Sequence, residues 1–406
     1  MAHKNNAMRQ VYMFCFVLVG WSSLWLSAVA AESVIVLPGI TRNSEGVTTV
    51  ALECNDKALL ALGKRAFGMH GGFRVTEIAQ AAFIVQLQAI QSEVRVSVRS
   101  GASAGVLWES KTSDPNLGQA LLRACDRAVE YMTGKPGFFA GKLAFVGKRG
   151  GVSELYSSDL FFRSVVALTA DRALVTGPSW SPDGKKILYT TYFKSGFPDL
   201  YALDLGARQR YPIATYKGTN SGGRFSPDGS RIAMVISGSA DTELCVSDAS
   251  GKSLRRLTRN KSLESGPSWS PDGSQLVFTS DTRGKPQLFT IPSGGGKARR
   301  LPTQVSSFCT EPTWNPVDSG KIAFTAATGG GFQIALYDAS EGRARVLTSV
   351  RGSAVEPAWL NDGRHLIFTQ REGGSTRLVL LDSISGKMTP LHRTSFGSAS
   401  SASFVY

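Results

Sequence analysis

The chain has 406 residues, a formal net charge of +14 at pH 7 and 42% hydrophobic residues. That length accommodates two domains and a large core. The charge favours anionic partners through long-range steering. Without a Lys/Arg block or a basic helix it argues against nucleic acid and leaves anionic lipid, cell-wall polymer or an acidic protein, or a basic surface with no specific partner.

The first segment reads as an export signal. Lys4 and Arg9 precede an apolar stretch, Val11–Leu26, and Ala28-Val29-Ala30 supplies the small residues of a cleavage site. The apolar run is short for a membrane span. Cleavage after Ala30 and after Ala31 remain equivalent readings. Cys15 lies early in the apolar stretch, so no lipoprotein is read. Removal of residues 1–30 takes away two basic residues and leaves a net charge of about +12. The mature chain keeps Cys54, Cys125, Cys245 and Cys309. Four cysteines pair in three ways, but none recurs with a period or sits in Cys-x-x-Cys, and isolated buried thiols fit as well. No metal-ligand spacing is readable and no cofactor is expected.

Residues 31–140 read as a small α/β domain. Ser33–Pro38 is a predicted strand. Val50–Phe67 is a predicted helix, with Leu59, Leu60, Leu62 and Phe67 on or near one face. Phe73–Glu77, Ala82–Ile90, Glu93–Ser100 and Val106–Lys111 alternate as strands. Asp114 then caps a helix with Pro115 in its first position, and Leu117, Leu121, Leu122, Cys125, Val129 and Met132 form its apolar face. Gly134 ends it and Pro136 prevents continuation. Gly101-Ala102-Ser103-Ala104-Gly105 fits the Gly-x-Ser-x-Gly pattern of hydrolases, which needs a strand on one side and a helix on the other. Strands flank it on both sides, so a hairpin is the better reading. His70, His365 and His392 are the only histidines of the mature chain that could serve as bases.

Residues 141–406 repeat at a step of 44 or 45. Pro-Ser-Trp-Ser-Pro-Asp-Gly stands at Pro178–Gly184 and Pro267–Gly273, with weaker copies at Gly223–Gly229, Pro312–Asp318 and Pro357–Gly363. The aromatic anchors are Trp180, Phe225, Trp269, Trp314, Trp359 and Phe404. A period of this length with four short strands per unit marks a propeller blade. In the turn, Pro182 presets φ, Asp183 bonds its own backbone and Gly184 takes the left-handed position. Asp183, Asp228 and Asp272 are therefore read as turn formers in preference to a calcium-binding ring, and the anchors as wedges between neighbours. Lys142–Val146 is a second strand with no anchor before it, and Phe404 is an anchor with no second strand after it. Pairing Ser401–Tyr406 with Leu143–Val146 closes a six-bladed all-β propeller and removes the exposed edge.

Taken together, the export signal, the α/β domain, the junction Thr133-Gly134-Lys135-Pro136-Gly137-Phe138-Phe139 and the blades of Trp-Ser-Pro-Asp-Gly type resemble the TolB family of the Tol–Pal envelope system. So does Thr279-Ser280-Asp281 through Lys285-Pro286-Gln287-Leu288 in a middle blade. The resemblance implies a monomeric, non-catalytic periplasmic adaptor that supports outer-membrane integrity and constriction at division. It implies Pal, the peptidoglycan-associated lipoprotein, bound at one mouth of the propeller, with Thr219, Asn220, Gly222, Glu264 and Ser265 in the matching loops. It also implies TolA, an inner-membrane protein, bound by the tail Glu32–Arg42, beginning with Glu32, Ser33 and Val34. Two departures stand out. A histidine common in the family one turn before Asp126 is Leu122 here, and Thr41–Val47 is poor in Tyr and Phe. The competing reading is an exported propeller that binds a glycan or another envelope protein.

Overall fold

A computed structural model describes residues 46–103, 105–238 and 241–406. The predicted export signal, the predicted strand Ser33–Pro38 and the tail residues Glu32, Ser33 and Val34 lie outside the described residues.

Five strands and two helices come first: β1 (Thr48–Cys54), α1 (Lys57–Met69), β2 (Phe73–Val75), β3 (Phe83–Ile90), β4 (Glu93–Ser100), β5 (Val106–Ser113) and α2 (Leu117–Thr133). The sheet order is β2-β1-β3-β4-β5, parallel across β2, β1 and β3 and antiparallel beyond. Val50, Leu52, Val85, Leu87, Val94, Val96 and Val98 pack with Phe67, Leu121, Leu122, Cys125 and Val129 in one core. The predicted helix Val50–Phe67 is therefore wrong in its first third. Val50–Cys54 belongs to β1, an interior strand that pairs with β3 along Val50–Cys54 and with β2 at Thr48–Val50. The helix begins only after Asp56, whose side chain accepts the Ala58 and Leu59 N–H groups at 2.8 and 2.9 Å. The cap of α2 also moves. Asn116 accepts the Gln119 N–H at 3.1 Å, while Asp114 accepts the Asn116 N–H and Pro115 stays outside the helix. Gly134 closes α2 in the left-handed region, as expected.

Six four-stranded antiparallel sheets follow. The first blade joins Ser398–Val405 to Lys142–Ala167, with Phe404 opposite Leu143. The second to sixth blades run Val175–Ala214, Asn220–Arg256, Glu264–Arg300, Cys309–Val346 and Ser353–Pro390. Closure by the C-terminal strand is thus observed. Each inner strand packs against the inner strand of the next blade, and the last returns to Val175–Trp180. Trp180, Trp269, Trp314 and Trp359 are buried. Trp269 Nε1 donates to the Arg224 carbonyl at 2.9 Å and Trp359 Nε1 to the Thr313 carbonyl at 3.1 Å, so these anchors fasten onto the preceding blade.

Every inner strand slips register at the same place. The residue there has positive φ in all six blades: Gly177, Gly222, Gly266, Glu311, Glu356 and Ser401. Three blades use glycine, which suffers no steric penalty there. In two of the others the side chain offsets the strain. Glu311 Oε2 accepts from Thr325 Oγ1 at 2.7 Å and from the Glu356 N–H at 2.8 Å. Glu356 Oε2 repeats the pattern with Thr369 Oγ1 and the Ser401 N–H.

The α/β domain rests on the end of the propeller where the inner strands finish. Asn361 Nδ2 donates to the Gly137 carbonyl and Lys387 Nζ to the Gly68 carbonyl. Buried Asp126 of α2 accepts the Phe139 and Ala140 N–H groups at 2.7 and 2.8 Å and the Tyr406 hydroxyl at 3.1 Å. One carboxyl thus ties together the first domain, the linker and the last residue. The loops that lead into the inner strands open at the other end.

Candidate functional site

That other end, the open mouth, carries the chemistry of a contact surface. The turn after the second strand of the second blade reads Tyr192-Phe193-Lys194-Ser195-Gly196-Phe197. Phe197 is 62% exposed and Phe193 43%. Tyr216, Leu174 and Leu263, each at the entrance to an inner strand, are about half exposed. Exposed Lys194, Lys217, Arg259, Lys261, Arg283 and Lys285 surround them. The loops are held from within. The Arg210 guanidinium lies 4.2 Å from the Phe193 ring centre and forms a pair with Asp171, its Nη2 at 2.8 Å from Oδ1.

The five residues implied by resemblance border this mouth but do not share one role. Asn220 is fully buried. Its Nδ2 donates to the Tyr216 carbonyl at 2.7 Å and its Oδ1 accepts the Tyr216 N–H at 3.1 Å, which shapes the loop that presents Tyr216. Thr219 N–H donates to Ser237 Oγ, and Gly222 forms the bulge. Glu264 is buried, with Oε1 accepting from Asn260 Nδ2 and Ser280 Oγ, and burial raises its pKa. It lines a cavity of 290 Å³ with Phe278, Phe289 and Arg283. Ser265 is exposed. The aromatic loops escaped the sequence reading. Their signal was compositional: Tyr-Phe-Lys-Ser-Gly-Phe replaces the short polar turns found at the same place in other blades.

The remaining candidates resolve into scaffold. Ser103 lies in the exposed β4–β5 hairpin, and a Cβ on Gly101 would meet the Ala81 carbonyl at 1.7 Å, so that glycine permits a close backbone approach. Each repeated Asp serves its own turn. Ser181 Oγ donates to Asp183 at 2.6 Å and Ser270 Oγ to Asp272 at 2.6 Å, and these bonds hold the carboxyls below the usual range. Cys54, Cys125, Cys245 and Cys309 are free thiols.

His70 and His365 meet in the seam between α/β domain and propeller, with ring centres 4.5 Å apart. Donor atoms of His70, Asp362 and His365 lie within 4.8 Å of one another, a spacing compatible with a metal. Their lone pairs are already engaged. His70 Nδ1 accepts the Gly72 N–H at 3.0 Å, which puts the proton of the neutral ring on Nε2. His365 Nδ1 is 2.6 Å from Asp362 Oδ2, and Nε2 faces the Gly71 N–H at 3.4 Å. Burial, followed by the neighbouring His365, holds the His70 pKa well below its ordinary value. Arg364 grips Asp382 beside them at 2.6 Å. The arrangement is a polar joint between domains.

The protein family described as "TolB beta propeller domain" matches residues 129–404. The Tol-Pal system protein TolB of Bordetella pertussis is 32% identical over 194 residues, 48% of this chain and 44% of that one. The protein of the same name from Anaeromyxobacter dehalogenans is 35% identical over 142 residues, 35% of this chain and 32% of that one. The matched stretches span less than half the length of these curated relatives. The crystal structure of TolB from Acinetobacter baumannii superposes with a TM-score of 0.78 at 23% identity, covering 89% of this chain and 97% of that chain, a likeness of fold.

Proposed function

Because the chain belongs to the TolB β-propeller family, we propose that it is a non-catalytic periplasmic adaptor of the Tol–Pal system. In this reading it docks Pal on the open mouth and contacts TolA through Glu32–Arg42, and so supports outer-membrane integrity and constriction during division. The observation that carries the docking half is the exposed group Phe193, Phe197 and Tyr216 set among Lys194, Lys217 and Arg283. Aromatic anchors supply most of the binding energy of a protein interface, and surrounding charges of one sign steer an acidic partner into register. Thr219, Asn220, Gly222, Glu264 and Ser265 then act at the base of the same loops. The TolA contact of Glu32, Ser33 and Val34 rests on the family resemblance. No helix among the described residues is long and apolar enough to cross a membrane.

A crosslinking pull-down from envelope extracts tests both halves. The baits are the intact mature chain, one lacking Glu32–Arg42, and the double variant Phe197→Ser, Tyr216→Ser. The intact and shortened chains should recover a peptidoglycan-anchored lipoprotein, and the double variant should lose at least about tenfold of it. The shortened chain alone should lose an inner-membrane partner. Failure of every bait to recover the lipoprotein overturns the reading.

A further inference from the structure

The residue ahead of each aromatic anchor occupies one ring of positions around the propeller axis: Ser179, Arg224, Ser268, Thr313, Ala358 and Ser403. Five are small. In two blades the hydroxyl has a structural task, since Ser268 Oγ accepts the Trp314 N–H at 3.0 Å and Ser403 Oγ the Trp180 N–H at 3.1 Å. Arg224 takes another course. Its Nη1 donates to the Gly177 carbonyl of the neighbouring inner strand at 3.3 Å and to its own Gly223 carbonyl at 2.9 Å. Gly177 and Gly223 both fall in the register slips, outside the paired ladder. The guanidinium is thereby pinned where the inner strands face one another.

Those bonds use one nitrogen of a planar group with five donors. Among the described residues, Nε and Nη2 of Arg224 have no acceptor and no carboxylate forms an ion pair with it. The surrounding protein disfavours its charge and pushes its pKa down, with no acid to offset this. An uncompensated cation in such a place is costly. The group is nevertheless reachable: Arg224 is only partly buried, and a Cβ on adjacent Gly177 would meet nothing within 4 Å. Glu311 and Glu356 stand at the equivalent bulges of the fifth and sixth blades, but they are engaged with Thr325, Thr369 and Arg371.

We propose that the propeller tunnel is a binding site for a small carboxylate, received by the free edge of Arg224. The planar fork of a guanidinium matches two carboxylate oxygens. Arg224 is the fifth residue of its inner strand, roughly 13 Å in from the start of the strand. That depth suits a diffusible molecule and not a side chain on a docked surface. The site is separate from the aromatic mouth loops and does not depend on what they bind.

Calorimetric titration of the mature chain with sodium succinate, against sodium chloride at equal ionic strength, tests this, with thermal melts in parallel. The wild type should bind succinate at one saturable site and melt higher in its presence. Arg224→Lys keeps the charge but not the fork and should bind about tenfold more weakly. Arg224→Ser introduces the residue found at this position in three other blades, so the fold should tolerate it. That variant should lose binding and melt no lower than the wild type in chloride. Absence of saturable binding to the wild type overturns the proposal. So does equal affinity in the Lys variant, a readout available even if the Ser variant misfolds.

Discussion

Asp126 shows how much one side chain can be asked to do. Burial drives its pKa up from the usual carboxyl value to about 7, against the pull of the Ala140 and Phe139 N–H groups and the Tyr406 hydroxyl. A carboxyl whose folded pKa is raised binds its proton more tightly when folded. Its contribution is complete below about pH 4 and is lost as the pH rises through about 7. His70 has the opposite sign, because a depressed histidine pKa costs stability as the pH falls below about 6.5. Asp126→Asn separates the two. It should lower the melting temperature throughout, since one linker N–H loses its acceptor, and it should remove the Asp126 contribution, so that the gap between variant and wild type narrows as the pH rises from about 4 through about 7. Melts across that range check this, and an unchanged slope in the variant would show that Asp126 is not the titrating group. In the sequence, Asp126 was legible only through the family resemblance of the helix before the junction. Nothing in its neighbours announces that Tyr406, 280 positions away, reaches it.

Among the elements, the inner strands were the most legible and the first helix the least. Trp-Ser-Pro-Asp-Gly specifies an anchor and a turn by local chemistry, so the strand after it is found without tertiary information. Val50–Cys54 is a short apolar run that suits a strand or a buried helix equally. Parallel pairing with Phe83–Leu87, and of Val50 with Val75, decides it, and those partners lie far along the chain. The bulge was hidden for a related reason: its position is common to all six blades but its residue is not. Glu356 at φ 57° is in strain that glycine would avoid. Glu356→Gly should be less stable than the wild type, because the Thr369 hydroxyl and Arg371 lose their acceptor and the Ser401 N–H loses one of its two. Glu356→Ala loses the same bonds and keeps the strain, so it should fall about 1 kcal/mol below the Gly variant. Thermal or urea denaturation of the two gives the order, and an Ala variant at or above the Gly variant would contradict this account. The mouth was partly legible. Its location followed from the repeat, but the exposed Phe193 and Phe197 belong to one irregular turn that the repeat does not describe.

For the whole molecule, stability hangs on a seam. Phe404 packs into the core that the first blade shares with the α/β domain, and a Cβ on Gly141 would meet its ring at 2.1 Å. Phe404→Ala should cost about 3 kcal/mol, and the loss should appear as a lower melting temperature together with faster proteolysis near residues 398–406. A variant that melts like the wild type would mean that the seam carries little of the closure energy. The seam was legible because its two halves were each incomplete in the same repeat.

The seam also sets a schedule. The strand that completes the first blade is synthesised after every other strand of the ring. Until residues 398–405 arrive, Lys142–Arg149 presents a bare edge, and Asp126 waits for Tyr406. An early stop a few residues from the end therefore acts on the molecule's first blade and first domain, not on its tail. Residues 398–406 are therefore the latch of the ring: they close its first blade and reach the buried carboxyl beneath it.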